Sequence, residues 1–247
     1  MRLRPTICFA LLLVLFCGNG HAERIEAVTE DTAFTFRQDG RVGGPASQVV
    51  EAMLQRAGLT DYSLALYPWA RAYDMALQQP NVLIYLIART PEREPLFKWV
   101  GEVMRIDYHL YKLRGQPDIR VRTLADAKHY SIGVLRDDVR QQYLQAEGFT
   151  KLVIAAHNRN NFRRLLNRQV QLVPMPERDA RLQCAEAGVD FASLERVYTL
   201  DALSSGLYMA YSRATADAIV TRSRAAFDSL KREGLLTRLM NGEAEPE

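Results

Sequence analysis

Apolar residues along the chain follow two spacings, short runs typical of strands and longer stretches with helical periodicity. The clearest run, Val82–Ile87, has no polar interruption, as expected for a strand that is covered on both faces. The alternation of strand and helix signals predicts an α/β fold. Before residue 107 the pattern predicts strands at Ile25–Thr29, Ser63–Leu66 and Val82–Ile87, and helices that begin at Gly44-Pro45, Pro68 and Thr90-Pro91.

A second unit of the same kind begins near Leu113, and a long amphipathic helix, about Thr215–Glu233, closes the chain before Gly234. Two such units predict two lobes, and open sheets bind ligands beyond the carboxyl ends of their strands, where helix N-termini point. The pattern predicts strands at Ser131–Val134, Leu152–Ala155, Val170–Val173 and Leu207–Tyr211, and helices led by Asp137 or Asp138, by Asn158 or Asn161, and by Pro176.

The N-terminal segment has the features of an export signal. Two arginines precede an apolar run, Ile7–Phe16, that is too short to span a bilayer, and Gly20-His21-Ala22 is a suitable cleavage site. No later run is long and apolar enough for a membrane helix. We therefore expect a signal peptide at residues 1–22, cleavage after Ala22, and a soluble mature protein in the periplasm.

Charge and cysteine content exclude several classes of function. The formal net charge of +3 falls to +1 when Arg2 and Arg4 leave with the signal, and no block of basic residues suggests nucleic-acid binding. Cys8 and Cys17 leave as well, so the remaining Cys184 can form neither an internal disulfide nor a thiolate metal cluster. We expect no metal, no cofactor and no nucleic-acid partner.

The order of several motifs resembles a known family. Residues 67–94 read YPWARAYDMALQQPNVLIYLIARTPERE, and Ile132–Asp138 and Gly206–Ser212 follow at fitting distances. Together they resemble the family 3 extracellular solute-binding proteins, the type found with polar amino-acid ABC transporters. The resemblance covers essentially the whole mature chain. It implies a two-lobed periplasmic-binding-protein-like fold of type II, with open sheets flanked by helices and a two-strand hinge.

The same resemblance implies a domain plan and partners. Lobe one would hold residues 23–107, lobe two residues 108–200, and residues 201–247 would form the return crossover and the C-terminal part of lobe one. Such proteins are monomers that close around a small-molecule ligand without a cofactor. They then present the closed form to an inner-membrane ABC permease.

Arg93 is the first candidate for ligand binding. In the family pattern S/T-x-T-x-E-R this arginine holds the α-carboxylate of an amino acid, and the matching residues here are Ala88, Thr90, Glu92 and Arg93. A guanidinium can grip a carboxylate through two parallel hydrogen bonds. A helix start at Thr90 would add free N–H donors. Ala88 stands where the family often has a hydroxyl, which removes one donor.

The other candidates are assigned to the same predicted cleft. The acid that pairs with the ligand's amino group in this family follows the last strand of lobe two, where Glu177 is the nearest acid. Trp69 is either an aromatic wall or a packing residue, and Asp137 is either a helix cap or a ligand contact. The expected ligand-binding residues are Arg93, Thr90, Trp69, Arg71, Glu30, Phe34, Arg136, Asp137 and Glu177.

No catalytic residue is expected. The chain has no nucleophile elbow, no HExxH, no CxxC pair and no phosphate-cradling glycine loop. Two alternatives to a transport protein stay open. One is a stand-alone sensor or adaptor that binds solute without transport. The other is a cyclohexadienyl-dehydratase-like enzyme on the same fold, with Glu30 or Glu177 as the acid if burial raised its pKa.

Overall fold

The computed structural model describes residues 24–243. Its strands are β1 (Ile25–Thr29), β2 (Phe36–Gln38), β3 (Arg41–Gly43), β4 (Tyr62–Leu66), β5 (Val82–Ala88), β6 (Phe97–Ile106), β7 (His109–Leu113), β8 (Ile132–Leu135), β9 (Leu152–Ala155), β10 (Val173–Met175), β11 (Leu194–Thr199) and β12 (Ser205–Ser212). Its helices are α1 (Pro45–Arg56), α2 (Trp69–Gln78), α3 (Leu124–Ala127), α4 (Val139–Ala146), α5 (Asn158–Leu166), α6 (Glu177–Ala187), α7 (Asp217–Arg232) and α8 (Leu235–Met240).

The first lobe is built on a five-stranded sheet in the order β4-β1-β5-β12-β6. β1 pairs in parallel with β4 and β5, whereas β12 runs antiparallel to β5 and β6. The chain leaves this sheet after Ile106 and returns to it at Ser205. One strand in the middle of the sheet therefore comes from the far end of the sequence.

The second lobe repeats this strand order. β7 lies between β10 and β11 in one sheet, and β8 pairs in parallel with β9 in another. A bridge between Ile132 and Leu172 joins the two sheets, which gives the spatial order β9-β8-β10-β7-β11. In both lobes a strand from the opposite end of the lobe's sequence is inserted antiparallel beside the third parallel strand. The two lobes thus share one topology.

The core confirms the prediction that β5 is covered on both faces. All seven residues of β5 are buried. Leu83 and Tyr85 pack into one apolar cluster, while Ile84 and Ile87 pack into another on the opposite face. The second cluster also contains Leu135 of lobe two, so apolar contact continues from one lobe to the other.

The prediction that an α-helix begins at Thr90-Pro91 is wrong. Residues 91–93 form a turn, and a short 3₁₀ helix, Glu94–Leu96, follows. The backbone N–H groups of Arg93 and Glu94 both donate to the Thr90 carbonyl. Pro95 has no N–H to continue this pattern, so an α-helix cannot develop. The third strand of lobe two also differs, since β10 covers Val173–Met175 rather than Val170–Val173.

Residues 1–22, with the predicted signal peptide and cleavage after Ala22, lie outside the described residues. Within residues 24–243 no helix has the length and apolar character needed to cross a bilayer.

Gly44 begins α1 under a double constraint, which yields a stability prediction. Its φ is 96°, and a Cβ there would lie 2.5 Å from the Phe34 carbonyl oxygen. We expect Gly44→Ala to lower the free energy of unfolding by about 1–3 kcal/mol, with a matching fall in the melting temperature. Gly43→Ala is the matched control, because no atom lies within 4 Å of a Cβ at that position. Equal melting temperatures for the two variants would contradict this account of Gly44.

Candidate ligand site between the lobes

A cavity lies where the carboxyl ends of the parallel strands of both lobes meet. Its volume is about 550 Å³, counting the part open to solvent. Lobe one lines it with residues that follow β1, end β5 and begin α2, and lobe two lines it with the first turns of α4, α5 and α6. Open α/β sheets bind ligands at this position. The polar and aromatic lining residues are Thr29, Glu30, Thr32, Phe34, Trp69, Arg93, Tyr108, Asp138, Arg140, Asn158 and Asp179.

The guanidinium of Arg93 is buried in this cavity wall, with only 1% of the residue exposed. Nη1 donates to the Ala88 carbonyl at 3.3 Å, and Nη2 donates to the Asp137 carbonyl at 3.3 Å and to Gln142 Oε1 at 3.2 Å. Among the described residues Nε finds no hydrogen-bond partner, and no carboxylate forms an ion pair with Arg93. An unused buried donor is costly, so an anion in the cavity would stabilise this group.

The guanidinium of Arg93 also lies near two aromatic rings, those of Tyr73 and Trp69. Its Cζ lies 5.0 Å from the Tyr73 ring centre and 5.7 Å from that of Trp69, within range of cation–π attraction. Trp69 Nε1 donates to the Asp137 carbonyl at 3.0 Å. The Asp137 carbonyl therefore accepts hydrogen bonds from two side chains of lobe one. These bonds hold the two lobes against each other beside the cavity.

Asp138 and Arg140 form a buried ion pair on the lobe-two side. Arg140 Nε donates to Asp138 Oδ1 at 2.5 Å, and Arg140 Nη1 donates to the Pro174 carbonyl at 3.1 Å. Asp138 also caps α4 by accepting from the Arg140 backbone N–H. The guanidinium lies over the Tyr108 ring, 5.1 Å from its centre. Because both charges are matched within lobe two, this pair forms a preorganised wall of the cavity.

Two further carboxyl groups, Glu30 and Asp179, reach across the gap between the lobes. Glu30 Oε2 accepts from Asn158 Nδ2 at 3.0 Å, and Asp179 Oδ1 accepts from the Ala33 backbone N–H at 3.0 Å. Burial, assisted by the neighbouring acids and opposed by Arg140, raises the pKa of Glu30 to about 8. Burial also raises the pKa of Asp179. A cationic group placed between them would lower both pKa values and stabilise the ionised carboxylates.

The strand that carries Ala88 is distorted next to the cavity. Leu86, which lines the cavity, has φ 59°. It is the extra residue of a β-bulge, since Tyr85 pairs with Met209 while Ile87 pairs with Tyr208. Leucine rarely adopts this conformation, and such strain concentrates at ligand sites.

The structure brings four of the sequence-predicted residues together in the cavity, namely Glu30, Phe34, Trp69 and Arg93. Asp137 is not part of the cavity lining, and its backbone carbonyl accepts from Trp69 Nε1 and Arg93 Nη2. Thr90 does not line the cavity, and its hydroxyl accepts from the Arg93 backbone N–H at 3.4 Å. Thr90 was predicted to cap an α-helix whose first turn offers free N–H donors. That prediction is wrong, because a turn occupies residues 91–93.

Three predicted residues lie away from the cavity. Arg71 is exposed, with its guanidinium 4.3 Å from the centre of the Tyr67 ring, so it does not share a cleft with Arg93. Arg136 is exposed in the turn before α4. The side chain of Glu177 is 44% exposed and pairs with Arg181 at 2.6 Å. A hydrogen bond from Arg181 lowers the pKa of Glu177, the reverse of what a buried acid would show.

Seven polar or aromatic residues of the cavity wall were not among the expected site residues, and three of these seven share one signal. Arg140, Asn158 and Asp179 lie in the first turns of α4, α5 and α6, and Tyr108 lies in the segment that joins the lobes. Each of these helices follows a parallel strand, so its first turn points to the ligand position. Within residues 24–243 no three His, Cys, Asp or Glu residues are grouped to hold a metal ion.

Comparison with known proteins shows the fold. No family model and no curated protein matches the sequence. The solved structures that match include a histidine kinase sensor domain with similarity to periplasmic binding proteins (TM-score 0.78, 14% identity, 90% of this chain and 96% of that chain). They also include the arginine-, lysine-, histidine-binding protein ArtJ from Geobacillus stearothermophilus (0.76, 17%, 91% and 96%) and an ancestral arginine-binding protein bound to arginine (0.76, 14%, 89% and 97%). The chain therefore has the two-lobed fold of periplasmic binding proteins.

The raised pKa of Glu30 predicts a pH dependence of stability. Between its usual pKa of 4.5 and about 8, the folded chain keeps a proton that the unfolded chain has released. The folded state then binds more protons, so stability falls as the pH rises through this window. Glu30→Gln imitates the protonated acid. We expect the free energy of unfolding, measured by urea denaturation, to fall more between about pH 5.5 and about pH 8.5 in the wild type than in this variant.

Glu92→Gln is the control for this measurement. Hydrogen bonds to its own backbone and to the Thr90 hydroxyl hold the pKa of Glu92 below its usual range, so its contribution changes only at lower pH. The free energy of unfolding of Glu92→Gln should therefore change between the two pH values by as much as that of the wild type. A Glu30→Gln slope equal to the wild-type slope would show that Glu30 is ionised throughout.

Proposed function

We propose that this chain is a solute-binding protein that captures a small polar, carboxylate-bearing solute, an amino acid or a related compound, between its two lobes. The observation that carries the proposal is Arg93, whose buried guanidinium lines the interlobe cavity, has no carboxylate partner among the described residues, and keeps an unused Nε–H. A bound carboxylate supplies both the missing charge and the missing acceptor.

The opposite side of the cavity suits an ammonium group. Asp179 takes the role for which the sequence had suggested Glu177, and Glu30 lies nearby on lobe one. An α-amino acid would place its carboxylate at Arg93 and its ammonium group between Asp179 and Glu30. Trp69 and Tyr108 provide apolar walls for the rest of the molecule.

Capture proceeds by closure of the two lobes. We divide the chain into lobe one (23–107 and 201–247) and lobe two (108–200), with a hinge at the two segments that cross between the sheets. A ligand that contacts both lobes shifts the population toward the closed form.

The closed form would be a monomer, and its partner would be an inner-membrane ABC permease, which it would bind at the periplasmic face of the membrane. Support comes from similar structures that are substrate-binding proteins of amino-acid ABC transporters. Another similar structure is a histidine kinase sensor domain, so the alternative is that closure around the ligand serves solute sensing instead of transport.

The carboxylate role of Arg93 is tested with two arginine variants. A thermal-shift screen of amino acids and small carboxylates first identifies a ligand, because a ligand that binds only the folded state raises the melting temperature. Calorimetry then compares Arg93→Ala with Arg71→Ala. We expect Arg93→Ala to weaken binding by at least about 30-fold, roughly 2 kcal/mol, since truncation removes a buried charge contact. Arg71→Ala should keep wild-type affinity, because Arg71 lies outside the cavity. Equal losses in both variants would refute the assignment.

A dehydratase is the second candidate, and the position of Glu30 favours it. Burial in the cavity keeps the pKa of this acid near 8, so it can donate a proton at neutral pH. It would protonate a ring hydroxyl of a cyclohexadienyl acid, which leaves as water. The ring carboxylate would leave as CO₂, and its bonding electrons would complete the aromatic ring.

Incubation with prephenate and with arogenate distinguishes the two candidates. Aromatic product that is lost in Glu30→Gln would establish the enzyme. Binding of either compound without turnover, or no interaction with either, would leave solute capture as the function.

A further inference from the structure

The turn between β8 and α4 presents hydrogen-bond acceptors to lobe one. The Asp137 carbonyl accepts from Trp69 Nε1 at 3.0 Å and from Arg93 Nη2 at 3.3 Å. Gln142 Oε1, on α4, also accepts from Arg93 Nη2, at 3.2 Å. Both partners of each bond belong to the protein, one in each lobe. These bonds therefore join the lobes without any contribution from a ligand atom.

The backbone of Asp137 is held in an unfavourable conformation. Its φ is 58°, in the left-handed region that residues other than glycine rarely adopt. Its N–H donates to Gln141 Oε1 at 2.8 Å, and Gln141 is itself buried. Such backbone strain persists only where neighbouring contacts impose it, and it concentrates at ligand sites and switch regions. The chain thus accepts strain at the residue whose carbonyl joins the lobes.

Apolar burial favours the same arrangement. Leu135, which ends β8, and Trp69, which begins α2, are 1% and 3% exposed. Among the described residues they belong to one buried apolar cluster, in which Leu135 is the member from lobe two. If the lobes part, their hydrogen bonds are exchanged for bonds to water, but the apolar surface between them becomes exposed. This apolar contact therefore stabilises the closed form whether or not a solute is bound.

We propose that Trp69 and Arg93 of lobe one and the Asp137 turn of lobe two form a latch that keeps most molecules closed when no solute is bound. The latch is a property of the two lobes themselves and does not depend on what the site binds. A solute then reaches Arg93 only after the latch has opened. At high solute concentration the rate of binding would be limited by this opening step.

The acids on the other side of the cavity also join the lobes. Asp179 accepts from the Ala33 backbone N–H, and Glu30 accepts from Asn158 Nδ2. With a pKa of about 8, Glu30 keeps its proton in the closed form at lower pH and adds no negative charge beside Asp179. The latch is therefore best tested at about pH 6, where this side of the cavity does not push the lobes apart.

Trp69→Phe tests the latch, because it keeps an aromatic ring and removes the N–H that the Asp137 carbonyl accepts. Trp99→Phe is the matched control, since Trp99 Nε1 donates to the Glu94 carbonyl at 3.3 Å within lobe one. Each protein is unfolded in guanidinium chloride, dialysed and refolded to remove any carried-over solute, and native mass spectrometry checks that only the chain remains. Small-angle X-ray scattering should match the closed structure for the wild type and Trp99→Phe. Trp69→Phe should have a larger radius of gyration.

Fluorescence tests the latch from the side of lobe two. Trp69 and Trp99 are the only tryptophans of the chain, so Trp99→Phe leaves Trp69 as the single reporter. In this background Asp137→Val should raise the acrylamide quenching constant of Trp69 at least about threefold, because a β-branched residue disfavours a φ of 58° and the carbonyl turns away. Asp137→Gly keeps this conformation without strain, so quenching should stay weak.

Melting temperatures check that every variant is folded. Scattering of the solute-free wild type that fits only an open form would overturn the latch. Trp69 quenching as strong in the Trp99→Phe protein as after Asp137→Val would overturn it as well. Equal radii of gyration for Trp69→Phe and Trp99→Phe would overturn the role of the Trp69 N–H. No solute is used, so the proposed function stands or falls separately.

Discussion

A buried guanidinium must find hydrogen-bond acceptors, and Arg93 finds them in both lobes. Its Nη1 is satisfied within lobe one by the Ala88 carbonyl, while both acceptors of Nη2 belong to lobe two. If the lobes part, Nη2 exchanges these acceptors for water, so protein bonds are replaced rather than lost. The closed and open arrangements can then lie close in free energy. Under the proposed function, a ligand that supplies the acceptor missing at Nε would decide between them.

Local signals predicted much of the fold. The strands Ile25–Thr29 and Leu152–Ala155 have the predicted bounds, and α6 follows Pro176 as predicted and ends at Gly188, with φ 66°. The hairpin of β2 and β3 was missed although Asp39-Gly40, with φ 50° and 76°, carries a turn signal. Strands of three residues are too short to show alternation. β6 was missed because its burial depends on β12, which arrives about a hundred residues later along the chain.

The candidate site was predicted only as far as sequence order allows. Arg93 is identified by its motif, and its burial in the cavity fits the predicted role. On α6 the acid that lines the cavity is Asp179, two residues after the predicted Glu177, which is exposed and paired with Arg181. The contacts of Glu30 with Asn158 and of Asp179 with Ala33 join lobes whose relative position no local pattern encodes.

The insertion of β12 between β5 and β6 has a consequence for the order in which the molecule assembles. Lobe two is a continuous stretch of chain, whereas the sheet of lobe one cannot be completed until Ser205–Ser212 has come back across residues 107–204. Closing a loop of that length as flexible chain has a high entropic cost and slows folding. Once lobe two has folded, the loop is a compact body with its two ends side by side, and most of that cost has been met. Folding of the inserted lobe first would therefore bring Ile106 and Ser205, which pair in the sheet of lobe one, close together.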